Sequence, residues 1–150
     1  MARNSFNSDN FLNIARNRIR NTSHINKFGY NESVGTVFEL ITDLGTNVLP
    51  SSAGVVTLVS ASTDDTSAGT GARTVQVEGL DANYAPLTET FTMDGTTNVV
   101  GSSSFLRVFR MRVLTAGTEE INAGNITASI GGSNVAQILA DKGQTLMAVY

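Results

Sequence analysis

Apolar and polar side chains alternate with a period of two at several places along the chain, and that period predicts strands rather than helices. Thr74–Glu78 puts Val75 and Val77 on one face and Gln76 and Glu78 on the other. Leu87–Met93 repeats the pattern, with Phe91 and Met93 inward and Thr88, Thr90 and Thr92 outward. Thr36–Ile41 suits a first strand, Val55–Ser60 is a compact apolar strand, and Asn125–Ile130 and Thr145–Tyr150 are further strands. Val135–Ala140 reads either as a strand or as one helical turn. Asp94-Gly95 and Gly131-Gly132-Ser133 mark turns, and Leu44–Ala53, with Gly45 and Pro50, a connection.

Phe105–Thr115 is the longest strand candidate, and it departs from clean alternation. Phe105, Phe109, Met111 and Val113 share one face with Arg107, while Leu106, Val108 and Leu114 share the other with Arg110 and Arg112. A half-buried strand has one polar face. The mixed pattern predicts that both faces are covered, with Arg107, Arg110 and Arg112 meeting carboxylates such as Glu119, Glu120 or those of a partner. The alternative is that Arg110 and Arg112 point to solvent.

Roughly seven to eight short strands, with turns every 8 to 12 residues or so, predict an all-β antiparallel sandwich or barrel. We expect a sandwich, jelly-roll in preference to immunoglobulin-like, over residues 35–150. Residues 1–34 form an arm. Asp9 or Asn10 can cap a short helix with Phe11, Leu12, Ala15 and Ile19 on one face and Arg16 and Arg20 a turn apart. Ile14–Arg20 also alternates as a strand would, and six asparagines by Asn21 weaken a free-standing helix. The arm is expected to hold a short helix and an extended segment ordered on a partner. An N-terminal helix packed on its own domain is the competing arrangement.

Charge sharpens this division. The 150 residues carry a net charge of −3, and only 15% are Asp, Glu, Lys or Arg. Residues 1–30 hold five basic side chains against Asp9 alone, whereas the rest holds five basic and twelve acidic. A basic arm on an acidic body can meet nucleic acid, an acidic protein surface or the body of a neighbouring copy. The last two are preferred.

Several chemistries lose their residues at once. There is no Cys and one His, His24, so disulfides, thiolate metal sites and His-rich metal sites are excluded. No apolar run is long enough for a membrane-spanning helix, and the N-terminus lacks an apolar signal core, so synthesis in the cytosol without secretion by that route is expected.

The remaining candidates are weak. Asp64, Asp65 and Asp81 invite a cation, but their spacing lacks the EF-hand pattern, and such aspartates also cap turns. Gly69-Thr70-Gly71-Ala72-Arg73 lacks the P-loop lysine and the following helix, and its glycines are expected to supply positive φ in a corner loop. Glu78 with Glu89, or Glu119 with Glu120, could act as a glycosidase pair, but nothing around them suggests a raised pKa. Phe105–Arg112 interleaves aromatic and basic residues as a strand that stacks single-stranded nucleic acid would, yet the acidic body repels phosphate. We expect no enzyme, no cofactor and no metal.

Several stretches in order resemble one family. Ser60–Asp81, Glu89–Val99, Phe105–Val108, Thr115-Ala116-Gly117, Asn122–Thr127 and Gly143–Tyr150, preceded by Asn26–Asn31, are similar to virion structural proteins of tailed phages of aquatic bacteria, of the cyanophage type. The resemblance covers most of residues 26–150 and implies no catalytic residues. It implies location in the virion, made in the host cytoplasm, with the major capsid protein or other virion proteins as partners. The role expected is a capsid decoration or cement protein that stabilises the shell by multivalent docking, as a homo-oligomer for which a trimer is the natural guess. A tail, collar or baseplate component and a host-glycan-binding module are the alternatives. Partner-binding residues expected are Phe11, Leu12, Arg16, Ile19 and Arg20 on the arm and Arg107, Arg110 and Arg112 on the strand.

Overall fold

The computed structural model describes residues 27–31, 34–38, 41, 44, 48–145 and 147–149. The arm residues Phe11, Leu12, Arg16, Ile19 and Arg20 and the expected N-terminal helix lie outside the described residues. No helix occurs among those described, and nine antiparallel strands do.

Alternation is obeyed where the sequence shows it cleanly. In β3 (Ala72–Leu80) Val75 and Val77 are fully buried and Gln76 and Glu78 are not; in β4 (Pro86–Thr92) Phe91 is buried while Thr88, Thr90 and Thr92 are exposed. β2 (Gly54–Ser60) buries Val56 and Leu58, and β7 (Ile126–Ile130) buries Ile126, Ala128 and Ile130. The ambiguous 135–140 stretch forms β8 (Ser133–Ile138). It returns from β7 through Gly131 and Gly132, with φ of 58° and 83°. Two consecutive positive φ values make the hairpin turn whose twist matches that of the strands, and glycine adopts them without steric cost.

The strands assemble into a four-stranded sheet of order β5-β2-β7-β8 and a three-stranded sheet of order β4-β3-β6, where β5 is Val99–Phe105 and β6 is Arg107–Ala116. Both contribute to one apolar core, sandwich-like in its layering: Val56, Leu58, Phe105, Ile126, Ile130, Val135 and Ile138 from the first, Val75, Val77, Phe91 and Met111 from the second. Fully burying such a side chain contributes roughly 1.5–3 kcal/mol. β4 lies against β5 at one border and β6 against β8 at the other. A small third sheet pairs β1 (Lys27–Gly29) with β9 (Met147–Val149), so a segment inside the expected arm pairs with the C-terminal strand.

Two expectations require correction. Thr36–Ile41 is not a strand at its described positions: Thr36 and Val37 lie in a bend, and Val37 and Phe38 are exposed. An apolar alternating run forms a strand only where a neighbour offers a ladder. Phe105–Thr115, in turn, is two elements. The chain turns a corner at Leu106, whose amide donates to Leu80 O at 2.7 Å, and Phe105 closes β5 while Arg107 opens β6. A bulge follows, since Glu78 pairs with Arg110 but Gly79 with Val108. The extra residue, Phe109, reverses parity, so Val108 and then Met111 and Val113 reach the core. The mixed faces therefore record a corner and a bulge.

Candidate functional surfaces

The loop joining β2 to β3, residues 61–71, is held by a fully buried carboxylate. Asp65 Oδ1 accepts from the Ala72 amide at 2.7 Å and the Ala123 amide at 2.9 Å; Oδ2 accepts from Ser60 Oγ at 2.5 Å and the Gly124 amide at 3.0 Å. Its own carbonyl accepts from the Gly95 amide at 2.7 Å, and Gly95 opens the predicted Asp-Gly turn with φ of 60°. One residue thus fastens three loops: its carboxylate ties 61–71 to 117–125, and its backbone carbonyl holds 93–98. This is not the local turn cap expected of the aspartate pair; Asp81 is one, accepting from the Asn83 and Ala85 amides at 2.8 Å each.

The glycines of this loop also act differently from expectation. Neither Gly69 nor Gly71 has positive φ. Gly71 is buried against the hub, and a Cβ there would collide with Asp65 Oδ1 and Ala123. Close approach is what requires glycine.

A second buried polar residue extends the brace. Asn122 Nδ2 donates to Gly124 O and Leu139 O at 2.8 Å each, and its Oδ1 accepts from the Gly143 amide at 2.8 Å. Loop 139–143 is thereby tied to the Asp65 hub, two residues from Gly124. Asp64, Asp94, Glu119, Glu120 and Asp141 project from these four loops and are exposed. Among the described residues no group of three or more His, Cys, Asp or Glu is arranged to hold a metal ion. The Asp65 oxygens are already occupied by protein donors.

The expected partner-binding arginines each have intramolecular contacts. Arg107 Nη1 donates to Pro50 O at 2.8 Å and Leu106 O at 2.7 Å, which secures the corner. Arg110 Nη2 donates to Gln144 Oε1 at 2.6 Å. Arg112 donates through Nε and Nη2 to Gln76 Oε1, at 2.9 and 2.6 Å, and its Nε lies 3.2 Å from Glu78 Oε1. The carboxylate met is therefore Glu78 across the ladder; Glu119 instead accepts from Thr70 Oγ1. Glu78 and Glu89 do not converge as a catalytic pair would, since Glu89 faces Val77 in the ladder and Glu78 lies one residue on, across from Thr88. Adjacent residues of a strand point to opposite faces.

Sequence reasoning missed a surface that only the sheet order reveals. None of the residues of β2, β5, β7 and β8 is Asp, Glu, Lys, Arg or His. The outward face of this four-stranded sheet carries Val55, Thr57 and Val59, flanked by Val100 and Ser104 on one side and Thr127 and Ser129 on the other. Asn134 and Gln137 complete it, and Gln137 Nε2 donates to Thr127 Oγ1 at 2.8 Å. Val55 and Val100 are 40% and 63% exposed. By contrast, β3, β4 and β6 carry Arg73, Glu78, Glu89, Arg107, Arg110 and Arg112. Depletion of charged residues at the centre of a patch is one part of the compositional signal of protein–protein contacts.

No helix among the described residues is long and apolar enough to cross a membrane. Comparison with protein-family models, curated proteins and solved structures finds no match to this chain.

Proposed function

We propose that this chain is a tailed-phage virion structural protein that decorates and cements the capsid, docking in many copies through the uncharged face of the β5-β2-β7-β8 sheet. The observation that carries the docking surface is the segregation of every charged residue of the two main sheets into the other sheet. The phage assignment rests on the ordered resemblance of residues 26–150 described above. A jelly-roll, the finer form of the sandwich, goes with this reading.

Area argues for multivalency. Four strands of five to seven residues, at about 4.8 Å between strands and 3.3 Å per residue, present a face of roughly 400 Å². A stable standard interface buries about 800 Å² per partner. One face is too small for a tight isolated complex, but repeated contacts on a lattice multiply weak affinity. The basic arm supplies a second contact, drawn to acidic shell proteins or to the acidic loop end of a neighbouring copy, and a trimer would match local three-fold positions of a shell. Buried polar groups such as Asp65 and Asn122 brace loops, which suits a rigid building block.

Mass per particle and a particle reconstruction test the reading. Hundreds of copies on capsid faces are expected. Density confined to the head–tail junction would transfer the assignment to a collar or tail component.

A further inference from the structure

Glu89 occupies an inward-facing position of β4, in step with Leu87 and Phe91, where an apolar residue would be expected. Its carboxylate leaves the core sideways. It accepts from the Ser102 amide at 2.6 Å and Ser102 Oγ at 2.8 Å through Oε1, and from the Ser103 amide at 3.1 Å through Oε2. β4 and β5 belong to different sheets, so this one side chain joins the edge of one to the edge of the other.

The amides are free for it because of an irregularity in β5. Val55 pairs with Ser104 and Thr57 with Val100, so Val56 of β2 stands opposite three residues of β5, 101–103. A bulge leaves amides without ladder partners. Gly101 fits the arrangement, since a Cβ there would meet Glu89 Oε2 and the Phe91 ring at 2.8 Å each. An inward-pointing charge on an edge strand is also a known way to stop that edge pairing with another chain.

We propose that Glu89 is an acid-released latch on the β4–β5 seam: ionised, it closes the seam over the β5 bulge, and protonated, it lets the bulge open and the β5 edge become available. Partial burial pushes the Glu89 carboxyl up, but the bonds from Ser102 and Ser103 outweigh it and hold the group below its ordinary 4.5. A carboxyl lowered in the folded state stabilises above its ordinary value and ceases to do so as pH falls through the lower, folded one. The window is therefore acidic, below 4.5. On the strands packed against it the charged groups are few. β5 and β2 carry none; from β3, Glu78 lies against Arg112 and Arg73 donates to Gly69 O; β4 carries only Glu89.

The test is amide exchange of the full chain from pH 7 to pH 3, corrected for intrinsic rates, with Leu58 and Val75 as core references. Bonds to a charged acceptor exceed those to a neutral one by enough to change opening about tenfold. Ser102 and Ser103 should lose about tenfold protection below pH 4.5 while the references hold. In Glu89→Gln that loss should be present at pH 7 and independent of pH. Ser102 and Ser103 amides that track the core at every pH, or a Glu89→Gln protein that keeps the wild-type pH course, would overturn the latch. Should Glu89→Gln not fold, Ser102→Ala decides. It removes one donor to the carboxylate and keeps both amides, so the acid midpoint must rise, and an unmoved midpoint counts against the proposal.

Discussion

Replacing Asp65 by Asn is the sharpest test of the loop brace, because it changes one atom in a fully buried site. Each oxygen of Asp65 serves two donors: Ala72 and Ala123 on Oδ1, Ser60 and Gly124 on Oδ2. An amide has one oxygen, so whichever way it is flipped two donors face an NH2 group. A bond to a charged acceptor contributes about 1.5–3 kcal/mol, and a stranded buried donor costs about 1–3 kcal/mol. Some of the loss is relieved by a small shift of the Ser60 hydroxyl, which can rotate. Asp65→Asn should therefore cost roughly 3–5 kcal/mol, from two weakened charge-assisted bonds and the buried donors left facing the NH2 group. For a domain of this size that lowers Tm by roughly 10–20 °C. Urea unfolding followed by circular dichroism measures it, with the slope m unchanged if the native fold is kept. Exchange should accelerate either at the Ala72 and Ala123 amides together or at the Gly124 amide, according to which pair of donors faces the new NH2 group. A loss under about 1 kcal/mol with all three amides still protected would refute the reasoning, and loops 61–71 and 117–125 would then be held by their backbone bonds alone.

Other substitutions probe neighbouring parts. Gly71→Ala, at a buried position with Asp65 and Ala123 against the new methyl, should cost about 1–3 kcal/mol by overpacking, read from the same unfolding curves. Asn122→Ala removes three side-chain bonds and should cost about 2–4 kcal/mol, with faster exchange at Gly143 but not at Val75. Arg112→Ala removes a half-exposed pair with Glu78 and should change stability by under about 1 kcal/mol. Thr127→Lys with Ser129→Lys puts two charges on the uncharged face; Tm should hold within a few degrees or so while particle attachment is lost, and full attachment would remove that face from the proposal.

The sheets and the site were legible in the sequence to different degrees. β3, β4, β2 and β7 could be read because each alternates within itself, so their buried positions follow from local order. β5 could not, since Val-Val-Gly-Ser-Ser-Ser has too few apolar residues to show a period, and its bulge breaks the period that remains. The 36–41 run failed for the opposite reason, with strand-like residues at places where no partner strand pairs with the described positions. Asp65 and Asp64 are adjacent and chemically identical, yet one is fully buried and the other exposed. The donors that distinguish them include Ala123 and Gly124, nearly sixty residues away.

The sequence by itself determined the class of structure of the body, residues 35–150: all-β, with turns at Asp94-Gly95 and Gly131-Gly132 and inward faces set by two-residue alternation; it also determined that the chain has no thiol chemistry and a basic beginning before an acidic remainder. These are properties of composition and of contacts between near neighbours. Tertiary structure alone decided which strands lie side by side. It gathered four uncharged strands from residues 54–138 into one sheet and left the charged ones in the other. It also brought Asp65 against Ala123 and Gly124, and Glu89 against Ser102 and Ser103. Such pairings depend on loop closure and register, and neither leaves a local mark in the chain.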